Sequence, residues 1–336
     1  MIREGTFKGL KSIILENNYI RAVFLPEYGS KLASLIDKET NKEWLFQAKS
    51  DTLTIPSYGA VFSDYDSSGF DEVFPSIDAC FDPVTGKPIP DHGEVWALPW
   101  EYRLEGETVV FTVKSPVFPY TMTKRVWLEM NRLCFDYAVT NDGDTRFYFI
   151  WTPHALLRCD EYTKIIVPDS LTSVMTVEHQ TEHLGEWGTI HPYPVTISRK
   201  TGKPLDLSKM EPPSANNCEK FYFTERVPKG MCGIVQENTG RKLMYHYPAE
   251  KIPYLGVWKT QGGYRGDYNL ALEPCTGVYD NLSVAYAIRK VSFVEAKGVF
   301  TWWFQIEIGR NNDVLRCGLL SGTLAKGNVG RRYTRD

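Results

Sequence analysis

Residues 133–140, Leu133-Cys134-Phe135-Asp136-Tyr137-Ala138-Val139-Thr140, carry an apolar or aromatic side chain at every second position from Leu133 to Val139. A period of two is what a β-strand with one buried face requires, because successive side chains point to opposite sides of a sheet. The stretch before it, Thr121 to Met130, is also β-rich and is joined to it through Asn131-Arg132, so the two read as a hairpin. Upstream, Trp100 to Leu104 and Thr108 to Lys114 flank the turn Glu105-Gly106-Glu107. Downstream, Asn141-Asp142-Gly143-Asp144 separates the hairpin from Phe147 to Trp151.

The same signals extend along the chain. Ser12 to Leu15 and Tyr19 to Leu25 surround Asn17-Asn18, and Gly29 to Leu35 alternates apolar and polar residues. Further strands are expected at Lys220 to Thr224, Met231 to Gln236, Lys242 to Tyr247, Leu255 to Lys259, Tyr268 to Leu272 and Val299 to Ile308. No segment sustains a capped helical period, and no fixed-period repeat points to a propeller or solenoid. The expectation is an all-β protein, with one domain over residues 1–308. A basic tail over 309–336, in which six Arg or Lys from Arg310 onward face two Asp, is expected to be a loose, solvated extension.

Composition narrows the partner. The 38 Lys plus Arg against 41 Asp plus Glu give a net charge of -3, which supplies no field for nucleic acid or an anionic membrane. A neutral small molecule fits better. Seven cysteines, an odd number without a C-x-x-C pair, argue against a disulfide framework and a zinc ribbon and read as reduced thiols. With no apolar leader at the N-terminus and no run of roughly 18 apolar residues, a cytoplasmic protein is expected.

Several stretches carry groups able to do chemistry. Asp91-His92-Gly93-Glu94-Val95-Trp96-Ala97-Leu98-Pro99-Trp100 follows Pro88 and Pro90, which suggests that His92 sits on a rigid turn opening into a strand, on the floor of a polar pocket with an apolar wall. From Ser50 to Pro90 periodicity fades, yet Phe70-Asp71-Glu72-Val73-Phe74 is too apolar for disorder, so a long functional loop is expected. His154 follows Trp151-Thr152-Pro153 and reads as the end of a strand. Glu273, in Leu272-Glu273-Pro274, reads as a carboxylate that ends a strand before a stiff turn.

Taken together, Asp91-His92-Gly93 after a proline-rich loop, His154 after the Asn141 turn, and Leu272-Glu273-Pro274 with Thr276-Gly277 resemble the aldose 1-epimerase (galactose mutarotase) superfamily in identity and order. Tyr28-Gly29-Ser30-Lys31-Leu32-Ala33-Ser34-Leu35 with Glu43-Trp44-Leu45 resembles that family's N-terminal pattern, and the likeness covers roughly residues 10 to 308. It implies a β-supersandwich of two large, mostly antiparallel sheets with a cleft on one face. It also implies Glu273 as general base on the anomeric hydroxyl, His154 as general acid on the ring oxygen and His92 as a second donor there, with neither metal nor cofactor. A carboxylate base beside a histidine whose pKa is raised by that charge suits the chemistry. Asp71, Glu72 and Asp91 are expected to bind sugar hydroxyls, and Phe74, Trp96 or Trp258 the apolar sugar face.

The chain departs from the family pattern at two sugar contacts. Before His92 it offers Asp71-Glu72 where the family typically has an arginine, and between His154 and Glu273 it offers Trp258-Lys259 or Asp267 for the family's aspartate. Lys259 and Arg265 leave room for an anionic sugar. Two other readings compete. His179-Gln180-Thr181-Glu182-His183 fits H-x-x-E-H, a zinc pattern that needs a helix, but Gly185 would end any helix after about two turns, so exposed loop histidines are expected. A glycosidase could draw on Asp71, Glu72, Glu94 and Glu273, but it would not need two histidines. The expected function is a mutarotase-like isomerase interconverting sugar anomers. The alternative is a non-catalytic carbohydrate-binding protein on the same fold.

Overall fold

The computed structural model describes residues 1–310. Its strands form two large antiparallel sheets. The 12-stranded sheet runs, in spatial order, through Ile2–Phe7, Leu10–Glu16, Ile20–Leu25, Lys31–Asp37, Phe70–Val73, Thr152–Arg158, Tyr268–Cys275, Tyr254–Gln261, Asn217–Phe223, Ser173–Thr176 and Ile190–Pro192, with Lys42–Glu43 paired at one side. The 8-stranded sheet runs through Thr163–Ile166, Met231–Gln236, Arg241–His246, Val299–Arg310, Arg132–Asn141, Tyr120–Glu129, Thr108–Lys114 and Glu101–Glu105.

The hairpin read from the period of two lies at the heart of the smaller sheet. Arg132–Asn141 pairs on one side with Tyr120–Glu129 and on the other with Val299–Arg310. Leu133, Phe135, Tyr137 and Val139 are buried while Asp136 is exposed, as alternation requires. Their rings meet the larger sheet, with Phe135 6.3 Å from Phe24 and 6.0 Å from Phe70, and Tyr137 5.0 Å from Trp151. Aromatic contacts of this kind add about 0.5–1.5 kcal/mol each beyond the apolar area they bury. The supersandwich of two large, mostly antiparallel sheets expected from the sequence is the architecture observed.

Some expectations are corrected. Within the supposed loop of residues 50–90, Phe70–Val73 is a central strand between Lys31–Asp37 and Thr152–Arg158. It is too short to show a period of its own. Phe147 to Trp151 is not one strand leading to a terminal histidine. Phe147–Phe149 pairs with Ser292–Val294, Ile150-Trp151 lie outside any strand, and His154 is the third residue of the separate strand Thr152–Arg158. Likewise the strand holding Glu273 continues to Cys275, because Pro274 lacks only an N–H and its carbonyl side still pairs with Leu255. A short helix, Leu282–Ala287, is also present, capped by the Asn281 side chain on the Ser283 and Val284 amides. It is too short for its period to be read in sequence. Gly309 and Arg310, assigned to the tail, belong to the last strand. The rest of the expected tail lies outside the described residues. Among those residues no helix is long and apolar enough to cross a membrane.

Candidate active site

The strand Phe70–Val73 fixes which face carries the site. Phe70 packs on Phe135 and Phe304 of the smaller sheet, and Glu72 accepts hydrogen bonds from Lys124 (3.0 Å) and Tyr137 (2.8 Å) of that sheet and from Trp151 (2.9 Å). Asp71, between them, must point to the opposite face. His154 is its register partner, so it points there too. On the next strand the ladder pairs Leu156 with Ala271, which carries Glu273 onto the same face two residues along. Trp258 pairs with Ala271 and Lys220 with Trp258, so both share this face.

Loops close the face into a cleft of about 420 Å³, of a size that holds a small ligand. His92 enters it from a turn in which His92 and Gly93 both adopt left-handed backbone, with φ of 58° and 73°. Gly93 is required there, because a Cβ would lie 2.0 Å from the Phe74 carbonyl oxygen. The turn leads into the 3-10 turn Val95–Ala97 rather than directly into a strand. The His92 ring stacks on Phe62 at 4.0 Å and stands perpendicular to the His154 ring at 5.2 Å. Its Nδ1 lies 2.9 Å from the Asp91 carboxylate, whose other oxygen accepts the Phe62 amide. Burial pushes the Asp91 carboxyl up, but the bond to His92, its charge and the backbone donors outweigh it and hold the group below the usual range.

His154 is buried, and its Nδ1 has no hydrogen-bond partner among the described residues. Burial pushes its pKa well down, with the charges of His92, Lys220 and Lys31 acting in the same direction. It is therefore a neutral imidazole at pH 7, contrary to the expectation that a neighbouring carboxylate would raise it. Glu273 is fully buried, and neither of its oxygens accepts a hydrogen bond from the described residues. Its cation is Lys220, whose Nζ lies 3.3 Å from Glu273 and 2.9 Å from Asp280. Burial raises the Glu273 carboxyl, Lys220 pulls it back and Asp280 pushes it up again.

The structure brings His92, His154, Asp91 and Trp258 to the cleft wall, with Glu273 directly beneath Lys220. Other expected residues lie elsewhere. Glu72 is consumed by the inter-sheet network described above. Asp71 is sealed under the site on Lys31 at 2.6 Å, where burial, opposed by Lys31, lifts its pKa to about 6. Phe74 packs among Tyr120, Phe147 and Phe149 in the core. Trp96 is one layer back, edge-on to Phe62 with its indole N–H on the Asp91 carbonyl. Lys259, one residue from Trp258, points to the other face, where it donates to the Leu207 and Lys209 carbonyls and burial brings its pKa down to about 8. Glu94, a glycosidase candidate, is tied to Tyr58, Ser115 and Tyr120.

The zinc pattern also resolves. Residues 179–183 form no helix, and among the described residues no group of His, Cys, Asp and Glu is arranged to hold a metal. His183 is not an exposed loop residue but is buried between Ser198 and Glu211. Lys220, Asp78 and Asp280 line the cleft and were not singled out in the sequence. The one available signal was a lysine in phase with Cys218 and Tyr222 in a strand otherwise rich in aromatics.

The architecture is that of galactose mutarotase-like proteins. The Slr1438 protein of Synechocystis sp. PCC 6803 superimposes with a TM-score of 0.68 at 16% identity, over 89% of this chain and 96% of that one. A galactose mutarotase related enzyme from Lactobacillus acidophilus gives 0.63 at 16% identity, over 90% and 98%. A galactose mutarotase-like protein from Clostridium acetobutylicum gives 0.61 at 14% identity, over 92% and 98%. Neither a protein-family model nor a curated protein matches the sequence.

Proposed function

We propose that the protein is an isomerase that interconverts the α and β anomers of an aldose by opening and reclosing its ring. The observation that carries this reading is the convergence of His92 and His154, 5.2 Å apart, on one cleft above the buried carboxylate of Glu273, which pairs with Lys220. Ring opening needs a proton taken from O1 and one supplied to O5. Glu273 is the base. His92, oriented by Asp91, gives O5 its proton, and neutral His154 donates an N–H hydrogen bond that stabilises the charge developing on that oxygen. Rotation about C1–C2 and reversal of the steps gives the other anomer. Trp258 offers the sugar an apolar wall. The six described cysteines are free, in keeping with a cytoplasmic enzyme.

The charges in the cleft favour a neutral sugar. Asp78, Asp91, Glu178 and Asp280 line it, and its lysine, Lys220, is already paired with two carboxylates. Lys259 faces away, and Arg265, which does not itself line the cleft, is held by the carbonyl of the lining residue Ser63. Polarimetry on freshly dissolved α-glucose, α-galactose and their 6-phosphates tests this. The expected result is acceleration with a neutral hexose, and kcat/KM lower by roughly tenfold or more for its phosphate, since like charges repel in a partly desolvated site. A phosphate preferred over its parent sugar would contradict it. A second reading, a non-catalytic carbohydrate-binding protein, draws on the full burial of Glu273 beneath Lys220. It predicts bound sugar with no acceleration.

A further inference from the structure

The sheet register builds a polar chain beneath the cleft. Glu273 and Tyr222 are both partners of Gly256, one on each side. A Cβ at Gly256 would lie 2.9 Å from the Tyr222 ring, so glycine lets that ring lie over the middle strand. The Tyr222 hydroxyl donates to Asp280 at 2.6 Å, the other Asp280 oxygen meets the Lys220 ammonium at 2.9 Å, and the same ammonium reaches Glu273 at 3.3 Å. Tyr222 and Glu273 are fully buried, and Lys220 is 7% exposed.

We infer that Lys220 is a positioning residue that keeps Glu273 a carboxylate inside its dry pocket, and that Asp280 and Tyr222 hold Lys220 there. This rests on the reading of Glu273 as the base. A carboxyl with no hydrogen-bond donor and no exposure would otherwise take up a proton, and a protonated acid cannot accept one from O1. The groups facing Glu273 are Lys220, Asp280, His92, Tyr222 and Cys275, while Asp78 and Glu178 act on Lys220 from the cleft rim. His154 is neutral, so Lys220 is the principal cation working against burial. Lys220 is itself held charged, since Asp280 and Glu273 together outweigh the burial that disfavours its ammonium. Its role is therefore electrostatic rather than nucleophilic.

The test is the titration of the Glu273 carboxyl carbon by 13C NMR, assigned through loss of its signal in Glu273→Gln, in the wild type, Lys220→Arg and Lys220→Met. Removing a cation at this distance should move the Glu273 midpoint upward by about one to three pH units in Lys220→Met. Lys220→Arg should leave it near the wild-type value. In turnover, the low-pH edge of kcat should move upward with the midpoint, whereas a merely structural loss would lower the rate equally at all pH values. An unmoved midpoint in folded Lys220→Met overturns the inference. If Lys220→Met does not fold, Lys220→Gln serves instead, because its amide can still donate to Asp280 while the cation is gone. The midpoint should rise as in the Met variant, and an unmoved midpoint overturns the inference. The titration needs no turnover, so absence of anomer exchange would count against the proposed function and an unmoved carboxyl against the role of Lys220.

Discussion

Glu273→Gln is expected to slow anomer exchange by about 10²–10⁴, the contribution of a positioned general base, while leaving sugar affinity within a few-fold. The carboxamide keeps the size of the side chain but cannot accept the O1 proton. Because neither carboxylate oxygen holds a hydrogen bond from the described residues, the substitution breaks none of these, and the cation beside it, Lys220, keeps its pair with Asp280. The fold should therefore survive, and the loss should appear in kcat rather than in KM. Exchange kinetics beside a binding titration check this. A variant that exchanges anomers at the wild-type rate would remove Glu273 from the reaction.

The largest effect on stability is expected from Glu72→Leu. Glu72 joins the two sheets, holding Lys124, Tyr137 and Trp151 with each partner buried. Its loss strands the Lys124 ammonium between the sheets with, among the described residues, only the Ser30 carbonyl to accept from it. Breaking one half of a buried pair costs about 3–5 kcal/mol. The double variant Glu72→Leu, Lys124→Met removes both charges and should recover much of that loss, since the desolvation cost disappears with them. Urea denaturation of the single and double variants measures the difference. Equal destabilisation in both would show that the ion pair is not the source.

Glu72 also marks the boundary of what the sequence disclosed. The supersandwich was legible because its outermost logic is local: the alternation of residues 133–139 and the Asn17-Asn18 turn, where the Asn17 side chain accepts the Tyr19 and Ile20 amides, need no tertiary knowledge. His92 and His154 were legible through the residues around them. Asp71 and Glu72 looked equivalent as neighbours in a polar stretch, but adjacent residues of a strand face opposite ways, and only the pairing of Phe70–Val73 shows that one lies under the cleft and the other between the sheets. The same one-residue difference separates Trp258 at the cleft from Lys259 on the other face. Lys220 was hidden for a different reason. Its partners Glu273 and Asp280 are about fifty to sixty residues away in the chain, so a buried triad of charges looked in sequence like an ordinary lysine in a strand.

Saturation-transfer NMR on an equilibrated mixture of neutral hexose anomers, with and without the wild-type protein, tests the central claim most directly. Irradiating one anomeric proton should diminish the signal of the other at catalytic protein concentration, well beyond the spontaneous transfer in buffer. A protein that broadens the sugar resonances on binding, yet leaves that transfer at the spontaneous rate for glucose and galactose alike, would contradict the account and leave a sugar-binding protein on a mutarotase-like fold.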